Sequence, residues 1–268
     1  MTAAYDTTVF SNDQESQMPG LQQSGSQENV IRIRNLRKSF GSNIVLNKFN
    51  LTLKKGESVA VLGKSGSGKS VLIKCIIGLL IPDEGTIDVF GQNIPSLSHD
   101  QLDRIRVRVG FLFQSNALYD SMTIRENLEF PLRRHWISVN QQEVNDMITE
   151  ALENVGLAHT VNMMPAELSG GMRKRIALAR TLILKPEIIL YDEPTTGLDP
   201  ITGNEISELM VSIQKKYNTS SLVISHDMKC IRKTADRIVV LTDGIAYAEG
   251  TYAALQQSTD LKVKQFFQ

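Results

Sequence analysis

Apolar residues recur along the chain in two rhythms, and their order predicts the architecture. Val30-Ile31-Arg32-Ile33-Arg34 and Leu51-Thr52-Leu53, with Phe49 in phase, alternate apolar with polar positions, the two-residue period of half-buried antiparallel strands. Ser58-Val59-Ala60-Val61-Leu62 is short, continuously apolar and β-branched, and predicts a buried strand; Val71 to Ile77 then predicts a helix that ends near Gly78. Pro82-Asp83-Glu84-Gly85 makes a turn, Thr86 to Gln92 a hairpin arm, and Val109 to Gln114 a second buried strand ending on a polar residue. Continuous runs return at Ile188-Ile189-Leu190-Tyr191, at Ser221 to Ser225 and at Arg237 to Leu241, the last closed by Asp243-Gly244. Such runs suit strands covered on both faces.

From residue 115 to about 180 the pattern is mostly helical. Ser138-Val139-Asn140-Gln141 fits a capping box. Val144, Met147, Ile148, Ala151, Leu152 and Val155 follow at helical spacing and Gly156 stops the run, so this stripe reads as core. A further helix opens at Ser169-Gly170-Gly171. Strands alternating with helices predict an α/β fold with a mostly parallel sheet and polar residues at the strand ends, where such folds bind ligands. No internal repeat is visible.

Composition narrows this little. Residues 1 to about 28 are rich in Ser, Gln, Asn and Gly and contain four acids without a base, which predicts a disordered tail. Lys+Arg and Asp+Glu both number 29, so no basic excess points to nucleic acid. The basic set Arg104, Arg106 and Arg108 is expected on a solvated face. The longest apolar runs, such as Ile76 to Ile81, are far shorter than the ~20 residues of a spanning helix, and the first 30 residues lack the base and apolar block of a signal peptide. Cys75 and Cys230, in apolar surroundings, imply no disulfide framework and favour a reducing, cytosolic setting. A membrane role would come through a partner.

The stretch that changes the picture is Gly63-Lys64-Ser65-Gly66-Ser67-Gly68-Lys69-Ser70. It satisfies G-x-x-x-x-G-K-[ST] between a predicted strand and a predicted helix. Glycines let the backbone curl its N–H groups round a polyphosphate, and the helix N-terminus adds partial positive charge. Lys69 is placed to bridge the β- and γ-phosphates and the Ser70 hydroxyl to ligate Mg²⁺. Asp192, closing a strand expected beside the phosphate-loop strand, is a candidate second metal contact. Glu193 is a candidate to polarise an attacking water; a solvated acidic turn is the alternative. His226 and Gln114, each at a predicted strand end, are candidates to contact the γ-phosphate and to sense metal and water; each alone is a weak signal, and their shared placement strengthens it. Phe40 lies upstream of the loop, suited either to stack on adenine or to fill the core. Leu168-Ser169-Gly170-Gly171-Met172 makes a second anion-binding helix start, of use to one nucleotide if a second copy of the chain supplies it head to tail, and otherwise a simple cap.

Together these motifs, in this order, resemble the ATP-binding cassette (ABC) ATPases over about residues 29 to 250. Phe40 matches the adenine loop, residues 63 to 70 Walker A, Gln114 the Q-loop, residues 168 to 172 the family signature, Ile188 to Asp192 Walker B, Glu193 the catalytic glutamate, Thr196-Gly197-Leu198-Asp199 the D-loop and His226 the switch histidine. The resemblance implies a RecA-like P-loop core with an antiparallel β subdomain and an inserted α-helical subdomain (about 115–180), between a disordered tail (1–28) and a short C-terminal tail (251–268). It implies ATP and Mg²⁺ as cofactors, with Gly63, Lys64, Ser65, Gly66, Ser67, Gly68, Lys69, Ser70, Val71, Phe40 and the partner copy's Ser-Gly-Gly at the nucleotide, Ser70, Gln114 and Asp192 at the metal, and Glu193, His226 and Gln114 in hydrolysis. Thr196 and Met172 stand where the family has Ser and Gln, changes that spare the phosphate contacts.

Leu168 to Arg175, Leu112 to Leu118, Phe130 to Arg133 and Asp199 to Thr202 further resemble the ATPases of Mla/Mce-type lipid transporters. That implies a homodimer on the cytoplasmic face of the inner membrane, bound to a separate permease and energising phospholipid movement; an Mce-domain periplasmic protein is a candidate further partner. Leu118, Tyr119 and Met122 are the candidate groove for the permease, or else subdomain core. A small-solute importer ATPase would carry the same core motifs, although many of those add a regulatory domain and only a short stretch follows Gly250. A soluble ABC protein acting on ribosomes or DNA is disfavoured by the single cassette, the lack of a heptad run and the neutral net charge. Glu193 and His226 argue against a regulatory switch without hydrolysis. Phe266 and Phe267 near the C-terminus are expected to dock on the partner copy or to fray.

Overall fold

The alternating segments become antiparallel strands and the continuous apolar runs become parallel ones. A computed structural model describes residues 28–134 and 140–267. In chain order the elements are β1 (Asn29–Phe40), β2 (Asn43–Lys54), β3 (Ser58–Leu62), α1 (Lys69–Ile76), β4 (Glu84–Val89), β5 (Gln92–Asn93), α2 (His99–Arg108), β6 (Val109–Leu112), α3 (Ile124–Arg134), α4 (Gln141–Asn154), α5 (Gly170–Leu182), β7 (Ile188–Asp192), α6 (Pro200–Tyr217), β8 (Ser220–Ile224), α7 (Met228–Thr234), β9 (Arg237–Thr242), β10 (Ile245–Gly250), α8 (Tyr252–Gln256) and α9 (Leu261–Lys264). Most of the expected disordered tail lies outside the described residues, as do Ser138 and Val139.

Two sheets result. An antiparallel sheet has the order β2-β1-β4-β5, and a six-stranded sheet has the order β10-β9-β3-β8-β7-β6, parallel except for β10. Side-chain alternation along the parallel strands divides the interior. Val59, Val61, Ile188, Leu190, Leu222, Ile224, Val239 and Leu241 point into one core, shared with β1, β2, β4 and α1. Ala60, Leu62, Ile189, Tyr191, Val223, Ile238 and Val240 point into a second, covered by α5, α6 and α7. A third joins α3, α4 and α5 and buries Ile148, Ala151, Leu152 and Val155, the stripe expected as core. This is the mixed α/β, P-loop architecture expected, with its antiparallel sheet and its helices.

Several local expectations are corrected. β7 is not beside the phosphate-loop strand β3, because β8 pairs with both and stands between them. β6 ends at Leu112, so Gln114 lies beyond the strand, not at its end. The cap of α4 is Asn140, whose side chain accepts from the N–H of Glu143 while the Glu143 carboxylate accepts from the N–H of Asn140. Arg104 is solvated, whereas Arg106 and Arg108 are half-buried and each makes specific contacts. Arg106 donates to the carbonyls of Ile77 and Gly78 at 3.1 and 3.3 Å, satisfying acceptors that the end of α1 leaves free. Arg108 stacks 3.6 Å from the centre of the Phe90 ring and donates to Glu187 at 2.6 Å.

Residues 251–267 fold back against the second core. Asp260 accepts from the N–H groups of Lys262 and Val263 at the start of α9, and Leu255 and Val263 are buried in the second core. Phe266 and Phe267 pack half-buried against that same core, Phe267 edge-on to Tyr252 at 5.3 Å.

Candidate active site

β3 brings the chain into the glycine-rich loop and α1 takes it out. Gly68 caps α1 at φ +101°, and a Cβ there would lie 2.7 Å from Cγ1 and 3.0 Å from the carbonyl oxygen of Val45. Only glycine allows both that backbone angle and that approach to β2. The N-terminus of α1 thus follows directly on the glycine-rich loop, the arrangement that binds anions.

Lys69, 7% exposed, turns its ammonium into this loop and donates to the carbonyls of Gly63 at 2.8 Å and Lys64 at 3.0 Å. Burial pulls its pKa below the usual lysine range, against the opposing pull of Glu193 and Asp192. Ser70, on the next residue of α1, donates from Oγ to Oδ1 of Asp192 at 3.4 Å. The Asp192 carboxyl is held above its ordinary pKa by burial first and by the charge of Glu193 second.

Glu193 follows β7 in the left-handed region, at φ +49°, a strained setting for a residue with a side chain. Its N–H donates to the carbonyl of Ile224 at 2.8 Å, which pins the turn to the end of β8. One carboxylate oxygen, Oε2, lies 2.8 Å from Nδ1 of His226 and accepts from Thr196 Oγ1 at 3.2 Å. The other, Oε1, lies 3.9 Å from Lys69 Nζ.

Lys69, Ser70, Glu193 and His226 line one open cavity of about 690 Å³, with Phe40, Val45, Gly63, Lys64, Ser65, Gly66, Gly68, Val71, Gln114 and Phe266; Asp192 touches Ser70 but is not on the cavity wall. Of the nucleotide residues expected in the cavity, all are present except Ser67. Its Oγ is buried, without a hydrogen-bond partner among the described residues, and it lines the adjoining cavity with Lys262 and Gln265. Phe40, 49% exposed, is not core. Ser169, Gly170 and Gly171 are not brought to this cavity. They start α5, where Ser169 Oγ accepts from the N–H of Met172 at 3.2 Å; Ser169 and Gly170 are exposed, with no atom near the Cβ position of Gly170, while Gly171 packs against Thr202.

The donor set suits Mg²⁺: a hydroxyl and a carboxylate in contact, with an amide on the same cavity. No cluster of three or more His, Cys, Asp or Glu side chains fit to hold a metal occurs among the described residues. A metal here would share its coordination with phosphate oxygens, as Mg²⁺ commonly does.

Several participants escaped the sequence reading. Val45 and Phe266 wall the cavity from segments without a motif, and Thr196, expected only as the start of the D-loop, bonds Glu193. Lys174 is 2% exposed; its spacing to the buried Ala177 and Leu178 marks it as an inward position, a signal available in the helical period. Burial lowers its pKa to about 8. Leu118 packs half-buried between the second and third cores, whereas Tyr119 is 42% exposed and stacks on Phe130 at 4.8 Å.

Comparison with known proteins agrees with this geometry. The family profile described as ABC transporter matches residues 46–196. The chain is 40% identical to the intermembrane phospholipid transport system ATP-binding protein MlaF of Haemophilus influenzae, over 89% of this chain and 90% of that one. It is 36% identical to MlaF of Escherichia coli K12, over 89% and 88%. Among solved structures, a dimeric ATP-binding cassette in a post-hydrolysis state bound to ADP and Pi superposes with a TM-score of 0.75 at 34% identity, covering 82% of this chain and 98% of that one. With that match spanning over half its length, the chain belongs to the ABC transporter family, as one of its ATP-hydrolysing cassettes.

Proposed function

We propose that the chain is the energy-coupling subunit of a phospholipid transporter, working as a head-to-tail pair of copies on separate permease subunits at the cytoplasmic face of the inner membrane. The observation that carries the hydrolytic part is the Glu193 carboxylate, held by His226 and Thr196 at the mouth of the phosphate-loop cavity. Similarity to the MlaF proteins along nearly the whole of both chains supports the phospholipid part.

In this reading the loop amides and Lys69 take the phosphates of ATP, and Lys69 exchanges its carbonyl partners for β- and γ-phosphate oxygens. Phe40 stacks on the base. Ser70, Asp192 and Gln114 would hold Mg²⁺, which when bound neutralises charge on the phosphate oxygens. Glu193 accepts a proton from the attacking water, and His226 keeps the carboxylate aimed at it. Ser169-Gly170-Gly171 of a second copy would close the open cavity with helix N–H groups.

The groove walled by Phe111, Phe113, Tyr119, Phe130, Pro131 and Arg134, next to Gln114, is the proposed seat of a permease helix. No described helix is long and apolar enough to cross a membrane, so attachment would run through such a subunit. An Mce-domain periplasmic protein is the proposed further partner.

Purification of the tagged chain from membranes in mild detergent, with mass spectrometry of what accompanies it, tests this. A multi-helix permease with an Mce-domain protein and bound phospholipid is expected. A permease with a solute-binding protein would overturn the substrate, and recovery with ribosomes or DNA would overturn the transporter.

A further inference from the structure

Gln114 sits on a segment that the sheet has already released. Beyond β6, Asn116 and Ala117 both have left-handed backbones, at φ +65° and +52°, an arrangement that side-chain-bearing residues keep only when their surroundings hold it. The hold comes from one helix. Lys174 Nζ donates to the carbonyls of Phe113 at 3.4 Å and Gln114 at 3.0 Å. Arg180 donates to those of Asn116 at 3.1 Å and Ala117 at 2.8 Å. Both cations belong to α5, the helix that begins at Ser169-Gly170-Gly171.

Lys174 is the unusual member. Its ammonium is buried and makes no ion pair among the described residues; the carboxylate whose charge it feels is Asp192. Burying a cation for two neutral acceptors is costly, and an apolar side chain of similar length would fill the space more cheaply. What the ammonium adds is a fixed main chain at Gln114 and a positive charge behind Asp192.

We propose that Lys174 is a positioning residue for the metal end of the nucleotide site. Through the carbonyls of Phe113 and Gln114 it sets the main chain that presents Gln114 to the cavity, and it makes that position follow the helix that starts at Ser169. The inference rests on the reading of Gln114 as a metal contact.

The test uses the full chain with Lys174→Met, Lys174→Arg, Gln114→Ala and the Lys174→Met/Gln114→Ala pair. Two quantities are read: hydrogen exchange across residues 113–118 without nucleotide, and the Mg²⁺ dependence of ATP hydrolysis, split into half-saturating Mg²⁺ and kcat. Lys174→Met is expected to speed exchange of 113–118 but not of β7, and to raise half-saturating Mg²⁺ by about tenfold, the usual effect of losing an outer partner of a metal contact, with a smaller change in kcat. Lys174→Arg restores both, and the pair is no worse than Gln114→Ala, because both changes act through one contact. Lys174→Gln, which keeps a neutral donor, replaces Lys174→Met if the latter melts early. Wild-type exchange and Mg²⁺ dependence in Lys174→Met, or effects that multiply in the pair, would overturn the proposal. A wild-type Mg²⁺ dependence in Gln114→Ala would instead overturn the metal reading beneath it, even with exchange at 113–118 raised in Lys174→Met.

Discussion

His226 holds Glu193: its Nδ1 lies 2.8 Å from carboxylate Oε2, and the left-handed turn that carries Glu193 is pinned to the end of β8, the strand that leads to His226. Carboxylate and imidazole thus come from adjacent strands and one hydrogen-bonded turn. Glu193→Gln is expected to bind ATP as before and to lose hydrolysis by roughly 10²–10⁴-fold, the usual worth of a positioned general base. His226→Ala should lose less, since the carboxylate remains. Nucleotide binding and single-turnover hydrolysis, measured on the same preparations, check both.

Phe40 is half exposed on the cavity wall, so its ring is available to a base. Phe40→Ala should weaken ATP about tenfold or more, from a stacking contribution of about 1–3 kcal/mol. Phe40→Trp should not, and affinity for inorganic tripolyphosphate should be the same in all three proteins. Competition binding with a fluorescent nucleotide reads these values.

The strand end bearing Phe40 is itself anchored by Asp83. That carboxylate accepts from the Ser39 N–H at 2.6 Å, Ser39 Oγ at 2.5 Å and Lys38 Nζ at 2.8 Å. Bonds from Lys38 and then Ser39 pull its pKa from 3.8 to about 2. A carboxyl depressed by folding stabilises above its unfolded pKa and loses that contribution as pH falls through the folded one. The melting temperature of Asp83→Asn should therefore lie below wild type at neutral pH, and the gap should close between about pH 4 and pH 2. A gap independent of pH would mean that Asp83 acts through packing alone.

Leu118 and Tyr119 are neighbours with different duties. Leu118→Glu puts a charge between two cores and should cost more than about 2 kcal/mol of stability. Tyr119→Glu, on the exposed groove, should melt as wild type, bind ATP as wild type and fail to co-purify with a permease. Denaturant unfolding and the membrane purification separate the two outcomes.

Gly110 allows β6 to pass under the end of α5: a Cβ there would lie 2.6 Å from Thr181 Cγ2 and 3.0 Å from Pro186 Cγ. Gly110→Ala is expected to destabilise by about 1–3 kcal/mol, the usual effect of overpacking, and to disturb the segment leading to Gln114. Thermal unfolding checks it.

The phosphate loop was legible because its chemistry is local: strand, glycines, lysine and helix follow one another without a break. The place of β8 between β3 and β7 was not, because β8 joins β3 from over a hundred residues away in the chain, and packing rather than local sequence decides such an order. Arg106 and Arg108 looked like solvent-facing charge because composition does not show that one meets the end of α1 and the other a phenylalanine ring. Lys174 was hidden for the opposite reason: its inward spacing was visible, but a lysine in a basic stretch reads as surface. Phe266 stood out as a terminal aromatic, expected to dock on a partner copy or to fray, but a short tail without periodicity does not reveal that it walls the chain's own cavity.

The place of β8 has one more consequence. Neighbouring strands stand 4.7–4.9 Å apart, so the ends of β3 and β7, with one strand between them, are separated by roughly twice that. Side by side, the phosphate loop and the Asp192–Glu193 corner would leave a slot the thickness of a single chain. Spaced by β8, they meet only through their side chains, Ser70 to Asp192 at 3.4 Å and Lys69 to Glu193 at 3.9 Å, and the interposed strand leads to the histidine that meets Glu193.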